Sequence, residues 1–198
     1  MITVGSKKRK FSLASIIFLV GVVIYSYQLD QLSYKFPSES MLPTIKINQE
    51  LSLERAGACL ECSSPVRRGE IWMYLDPNDK SKRFVKRVVG LAGDSIQISR
   101  GILRINGKVV TEKSVEKDVI LQGHISKDPL TPDKFTIFYE SIDTSVYSVA
   151  VQQNHTGIDY KGVVPAGHVF VLGDNRDNSL DSRIVGHIPL TKLIARVR

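Results

Sequence analysis

Cysteine is scarce in this 198-residue chain: Cys59 and Cys62 are the whole supply, paired in one C-x-x-C. A zinc site would want a second pair or histidines at ligand spacing, and the next histidine is far away at His124. A thioredoxin-like context is also missing, so a small structural disulfide is the favoured reading, allowed if the domain lies outside the cytoplasm. Histidine is little better represented. His124, His155, His168 and His187 make up the inventory, and none stands in a recognisable triad setting. No G-x-S-x-G elbow occurs either, which removes the usual serine hydrolase with a histidine base. The net charge of +7 is a mild excess, and the residues up to Asp30 already carry +3 of it. Without a basic stripe or a recognition motif this makes no case for nucleic acid as a partner; an anionic membrane surface is the plainer account. Internal repeats and low-complexity segments are absent, and past Leu29 no stretch has sustained helical periodicity.

One further absence is informative. From Phe11 to Leu29 there is no charged residue: the run reads FSLASIIFLVGVVIYSYQL. As a helix, its 19 residues would span about 28 Å at ~1.5 Å per residue, close to the ~30 Å hydrocarbon core of a bilayer. Lys7, Lys8, Arg9 and Lys10 precede it and Asp30 follows, so the positive-inside rule leaves the N-terminus in the cytoplasm and sends the remainder across. Tyr25 and Tyr27 suit the far interface. A cleaved secretory signal shares the basic start, but the residues at the end are mostly bulky and offer no small-x-small cleavage site. The expected organisation is therefore a cytoplasmic basic tail (1–10), a transmembrane anchor (11–29) and an extracytoplasmic domain (30–198) on a single-pass protein of the cell (inner) membrane. The last part is long enough for one core, or one core with a small lobe.

That domain reads as mostly β. Alternation or β-branched and aromatic enrichment marks strands at 50–53, 70–75, 84–89, 95–99, 134–139 and 146–151, and the apolar run 169–172 reads as a buried strand. Leu103-Arg104-Ile105 meets Asn106-Gly107, a strong hairpin signal. The region from about Thr111 to Tyr160 is polar and irregular overall, and reads as an insertion or small lobe.

Three motifs carry chemistry. Ser40 sits in Pro37-Ser38-Glu39-Ser40-Met41-Leu42-Pro43-Thr44, about ten residues after the apolar segment. A serine in such a turn is ordinarily a turn former or cap; to be a nucleophile it needs a base. With histidines poorly placed, a Ser–Lys dyad is the alternative, and it requires a lysine desolvated enough to offer a neutral amine. Lys86, in RFVKRVVG, is the best candidate. A solvated strand lysine is the commoner fate, but strand alternation puts Lys86 on a face with Phe84 and Val88. Arg87, with Val85 and Val89, is in as apolar a setting, yet a guanidinium cannot serve as base. The third motif, Gly173 to Arg183 (GDNRDNSLDSR), directly follows the buried strand and is dense in short polar side chains, which predicts a tight hydrogen-bonded loop. Counted from Asp177 as a calcium loop, it has Ser182 where glycine and Ile188 where glutamate is required, so an EF-hand is rejected.

Taken in order, the apolar segment, PSESMLPT, RFVKRVVGLAGDSI and GDNRDNSLDSRIVGHIP make this chain resemble the type I signal peptidase family of membrane-anchored Ser–Lys proteases. The resemblance implies a signal-peptidase-like β-rich catalytic domain behind a single transmembrane helix. It implies Ser40 as nucleophile, Lys86 as general base, and Ser38 as an oxyanion donor beside the Ser40 backbone N–H. Ser179 matches the serine that orients the lysine, and Asp181 and Arg183 match a supporting ion pair. No metal or organic cofactor is implied. Implied substrates are preproteins with small residues at the first and third positions before the cut. Glu39, Ala92 and the run Ile184-Val185-Gly186-His187 depart from the family pattern, which leaves substrate preference open. The short chain and its CLEC segment (59–62) also resemble the subgroup that matures conjugative pilins. Two rivals complete the set. A self-cleaving transcription factor would need a DNA-binding module where this chain has its apolar segment; a non-catalytic membrane-anchored β-domain would leave the 173–183 loop without a purpose.

Overall fold

The computed structural model describes residues 31–55, 65–77, 79, 81–126, 132–154 and 157–198. The expected tail and anchor, and Cys59 and Cys62, lie outside the described residues. Among the described residues no helix is long and apolar enough to cross a membrane.

The described chain is mostly β. In order, it forms β1 (Gln31–Phe36), β2 (Gln49–Arg55), β3 (Ile71–Leu75), β4 (Arg83–Leu91), β5 (Ser95–Ser99), β6 (Ile102–Ile105), β7 (Lys108–Val109), β8 (Thr111–Val119), β9 (Phe135–Ile142), β10 (Ser145–Gln152), β11 (Tyr160–Val163) and β12 (His168–Leu172). A one-turn helix α1 (Ser182–Val185), β13 (Ile188–Pro189), a 3-10 turn at Leu190–Lys192 and β14 (Leu193–Val197) complete it. They build a seven-stranded sheet of order β1-β2-β14-β3-β4-β12-β13, a four-stranded sheet β11-β5-β6-β7 and a three-stranded sheet β10-β9-β8.

Local chemistry explains most of these elements. In β5 the alternation of SIQIS becomes alternating burial, with Ile96 and Ile98 inside and Ser95 and Gln97 outside. At the β6–β7 turn Asn106 and Gly107 both have positive φ, 51° and 78°, as the favoured two-residue hairpin turn requires. Val169 to Leu172 of β12 is buried throughout, because this strand has protein on both faces.

Four strands have weaker signals in the sequence. β1 lacks a clear apolar alternation, β11 has four residues, and β14 is recognisable mainly by its position, inserted between β2 and β3 by pairings such as Arg196 with Glu54 and with Trp72. β8 is polar, and its pairing with β9 shifts register three times. Within the 111–160 stretch, 111–119, 135–142 and 145–152 form an antiparallel sheet that buries Phe135, Ile142, Tyr147 and Val149 together with the polar Thr111 and Glu140.

Those inward residues tie the sheets together. Ile142, Tyr147 and Val149 of the three-stranded sheet share one buried cluster with Ile96, Ile98, Leu103 and Ile105 of the four-stranded sheet and with Val89, Phe170 and Leu172 of the large sheet. A second cluster joins Met41 and Ile45, from the β1–β2 connection, to Leu51, Leu53, Met73 and Val85. A third packs Leu42 against Leu121, Phe135 and Ala150. The connection carrying Ser40 is therefore pinned on both sides by its own apolar residues. Met41 and Leu42 are core residues, at 0% and 3% exposure.

Candidate active site

The connection between β1 and β2 folds back on itself. Leu42 N–H donates to Glu39 O (3.0 Å), Ile45 N–H to Met41 O (2.9 Å) and Asn48 N–H to Phe36 O (2.6 Å). This tight winding presents Ser40 inward, at 6% exposure. Lys86 comes from β4, opposite Trp72 of β3, and is 2% exposed. Its Nζ lies 2.6 Å from Ser40 Oγ and 3.1 Å from the Val85 carbonyl oxygen, and 5.8 Å from the centroid of the Phe84 ring on the same face. Burial pushes the Lys86 ammonium down to about 8, against the opposing pull of the Asp181 and Asp174 charges; Arg183 adds to the lowering. Ser38 Oγ lies 3.1 Å from Ser40 Oγ and accepts the Ser40 backbone N–H at 3.2 Å. Ser38, Ser40 and Lys86 are thus brought together.

The polar loop after β12 is not an ordinary surface turn: Asp174, Asn175, Arg176 and Asp181 are all at most 1% exposed. Its backbone is tied to β10 through Ala150 N–H to Asp174 O (2.8 Å) and Arg176 N–H to Ala150 O (2.9 Å). It also grips the turn that carries Ser40, with Asn175 N–H donating to Ser40 O (3.1 Å) and Asn175 Nδ2 to Glu39 O (3.3 Å). Asp181 caps α1, accepts the Gly173 N–H at 3.0 Å, and takes a two-pronged ion pair from Arg183 at 2.9 and 2.8 Å. Burial raises the Asp181 pKa, but the Arg183 bonds and charge outweigh it and the carboxyl ends below the usual range.

Ser179 lies in the same buried loop. Its Oγ is buried with no hydrogen-bond partner among the described residues, packed against Gly173 and near enough to Asp181 to help lower that carboxyl. The hydrogen bonds of Lys86 Nζ go to Ser40 and Val85.

Several participants escape sequence reasoning. Arg87, next to Lys86 and on the opposite face, makes a bidentate pair with Asp174 (2.9 and 2.6 Å) and stacks 3.8 Å from the centroid of the Tyr147 ring. Arg176 pairs with Glu140 at 2.6 Å, both side chains fully buried. His124 lies between Glu39 and Asp133, 2.8 Å from each. Density of polar residues flags the loop that holds Asp174 and Arg176, but nothing local marks Glu140 or Asp133 as their partners' complements.

A family model described as signal peptidase, peptidase S26, matches residues 9–198. Among curated proteins the chain is similar to signal peptidase I of Pseudomonas aeruginosa, 28% identical over 180 residues, covering 85% of this chain and 59% of that protein. It is similar to signal peptidase I of Rickettsia conorii, 34% identical over 134 residues, covering 66% of this chain and 50% of that one. It is also similar to signal peptidase I of Leptolyngbya laminosa, 30% identical over 168 residues and covering 81% and 63% respectively. The chain spans 50% to 63% of the length of these relatives. Among solved structures, a signal peptidase I from Enterococcus faecalis V583 is 24% identical, with a TM-score of 0.37, over 66% of this chain and 94% of that one.

Proposed function

Because the chain belongs to the signal peptidase family, peptidase S26, we propose that it is a membrane-bound serine endopeptidase that removes N-terminal signal peptides from exported precursors by a Ser40–Lys86 dyad. The observation that carries this reading is the 2.6 Å approach of Lys86 Nζ to Ser40 Oγ at a buried site. A non-catalytic β-domain has no use for a buried amine facing a buried hydroxyl.

The chemistry follows from the geometry. Neutral Lys86 takes the Ser40 proton as Oγ attacks the scissile carbonyl carbon. The Ser40 N–H, which donates to Ser38 Oγ, and the Ser38 hydroxyl, which donates to Ser40 Oγ, turn to the developing oxyanion, each worth about 3 kcal/mol. The Lys86 ammonium then gives its proton to the leaving amine. Water, deprotonated by the same lysine, releases the acyl-enzyme. An ammonium has three donors, two of them directed at Ser40 Oγ and Val85 O; we assign the third to the buried Ser179 oxygen, which steadies the lysine when it is charged. The Asp181–Arg183 pair shapes the loop that delivers Ser179, and its two charges act on Lys86 in opposite directions, Asp181 the more strongly. No metal or organic cofactor takes part.

The segment 11–29 anchors the domain beside the membrane, where precursors held by an apolar segment present the bond to be cut, with small residues at the first and third positions before it. Membrane lipid is then a standing partner. The test is cleavage of a purified preprotein by the full chain. Ser40→Ala and Lys86→Ala should each lose at least about 10³-fold in kcat, and Lys86→Arg should fail equally because the charge is kept and the base lost. Full activity in any of the three would sink the dyad. N-terminal sequencing of products from a general precursor and from a pilin precursor decides between broad and dedicated substrates.

A further inference from the structure

Glu39 stands between the proposed oxyanion donor Ser38 and the nucleophile Ser40, and its side chain is 20% exposed. Its Oε2 accepts two bonds, from the His124 ring at Nδ1 (2.8 Å) and from the Ile125 backbone N–H (3.1 Å). The other ring nitrogen, Nε2, is 2.8 Å from Asp133 Oδ2. With hydrogens on both nitrogens the ring donates to both carboxylates; with one hydrogen it serves only one of them.

The far side of this bridge is itself fixed. Asp133 Oδ1 takes Gln152 Nε2 at 2.5 Å, and the Asp133 N–H donates to Ser126 Oγ at 2.9 Å. Gln152 ends β10, and its own N–H donates to Asp177 Oδ2 at 2.8 Å. The His124 ring stands edge-on to Phe135, centroids 4.8 Å apart and planes at 83°. Leu121, three residues earlier, is buried with Leu42 and Phe135. The segment 121–126 is thus seated on the three-stranded sheet and reaches across to the nucleophile turn with a side chain that is only 8% exposed.

We propose that His124, clamped between Asp133 and Glu39, is a positioning residue for the nucleophile: it holds the Ser38-Glu39-Ser40 turn by the Glu39 side chain, where Asn175 holds it by the backbone, and so sets the distance from Ser40 Oγ to Lys86 Nζ. The proposal rests on the reading of Ser40 as nucleophile. Asn175 restrains the backbone of the turn, through the carbonyls of Glu39 and Ser40. His124 restrains the Glu39 side chain, so the two supports hold different parts of the same turn. Lys86 lies on a strand of the large sheet and cannot follow if the turn moves. A displacement of about 1 Å at such a pair costs on the order of 10²-fold in rate.

The test compares His124→Ala, Glu39→Ala and the double variant in the full chain, solubilised in detergent, with Glu39→Gln as the conservative change that keeps an acceptor for Ile125 N–H. On a preprotein, each single alanine variant should lower kcat about tenfold or more with KM changed less than about twofold. The double variant should be no worse than the poorer single, as expected of residues acting through one contact, and Glu39→Gln should retain more activity than Glu39→Ala. Hydrogen exchange supplies a readout without substrate: amides of residues 39–42 should exchange about tenfold faster in His124→Ala while β4 is unchanged. Unchanged kcat, additive losses in the double variant, or unchanged exchange at 39–42 would overturn the clamp. If the parent and Ser40→Ala are equally inactive on every precursor, the peptidase reading fails, and the exchange result still decides whether the clamp exists.

Discussion

Lys86, the base of the proposed dyad, is almost wholly buried. Burial disfavours its ammonium more than Asp181 and Asp174 favour it, and the pKa comes down to about 8. The direction matters for activity. A general base must be neutral, so the competent fraction is small below pH 8, grows as pH rises through that value, and is nearly complete a unit above it. The expected pH profile of kcat/KM with a preprotein therefore climbs about tenfold per pH unit between roughly 6 and 7.5 and levels off above roughly 9. A flat profile from 6 to 9, with the enzyme intact throughout, would contradict Lys86 as base. Arg87, one residue on, shows the other outcome of burial on the same strand: its charge is retained because Asp174 meets it with two hydrogen bonds. Alternation assigns the two side chains to opposite faces, but only the folded chain shows that one face offers a hydroxyl and the other a carboxylate.

At the scale of elements, the junction between β12 and the loop that follows is the tightest point. Gly173 packs so closely that a Cβ placed there would sit 2.5 Å from the Ser40 carbonyl oxygen and 2.2 Å from Ser179 Oγ. Rotation would move the Ser179 hydroxyl but not its Cβ, which is also 2.5 Å away, and the carbonyl is backbone and is already bonded to Asn175 N–H. Gly173→Ala should accordingly push the nucleophile turn away from Lys86, lowering kcat by about tenfold or more and stability by about 1–3 kcal/mol. Preprotein cleavage and thermal unfolding measured on the same preparation check both. The strands themselves differ in how far their own residues announce them. β5 and the β6–β7 hairpin are legible because alternation and an Asn-Gly turn are local properties. β8 and β14 are not, since the first is solvent-washed and polar and the second is a strand by virtue of its neighbours β2 and β3.

For the whole molecule, the Arg176–Glu140 pair joins the loop of the large sheet to the three-stranded sheet at full burial. Thr111 Oγ1 and Tyr147 Oη also donate to Glu140, both at 2.8 Å, and Arg176 reaches the carbonyls of Gly173 and Gly101. Arg176→Met strands a buried carboxylate and should cost about 3–5 kcal/mol, whereas adding Glu140→Gln should return a large part of that loss; chemical unfolding of the two variants measures it. The amino-acid sequence alone determined the mostly β character of the domain, the hairpin at Asn106-Gly107, and the candidates Ser40, Lys86 and the 173–183 loop. Those follow from side-chain period, turn chemistry and short ordered motifs, all written within a few residues. Only the tertiary structure decided that Ser40 and Lys86 come within 2.6 Å, that Ser179 Oγ is buried without a partner among the described residues, and that His124 bridges Glu39 and Asp133. Contacts between residues separated by 46 or 85 positions depend on how three sheets share one core, and no local pattern encodes that register.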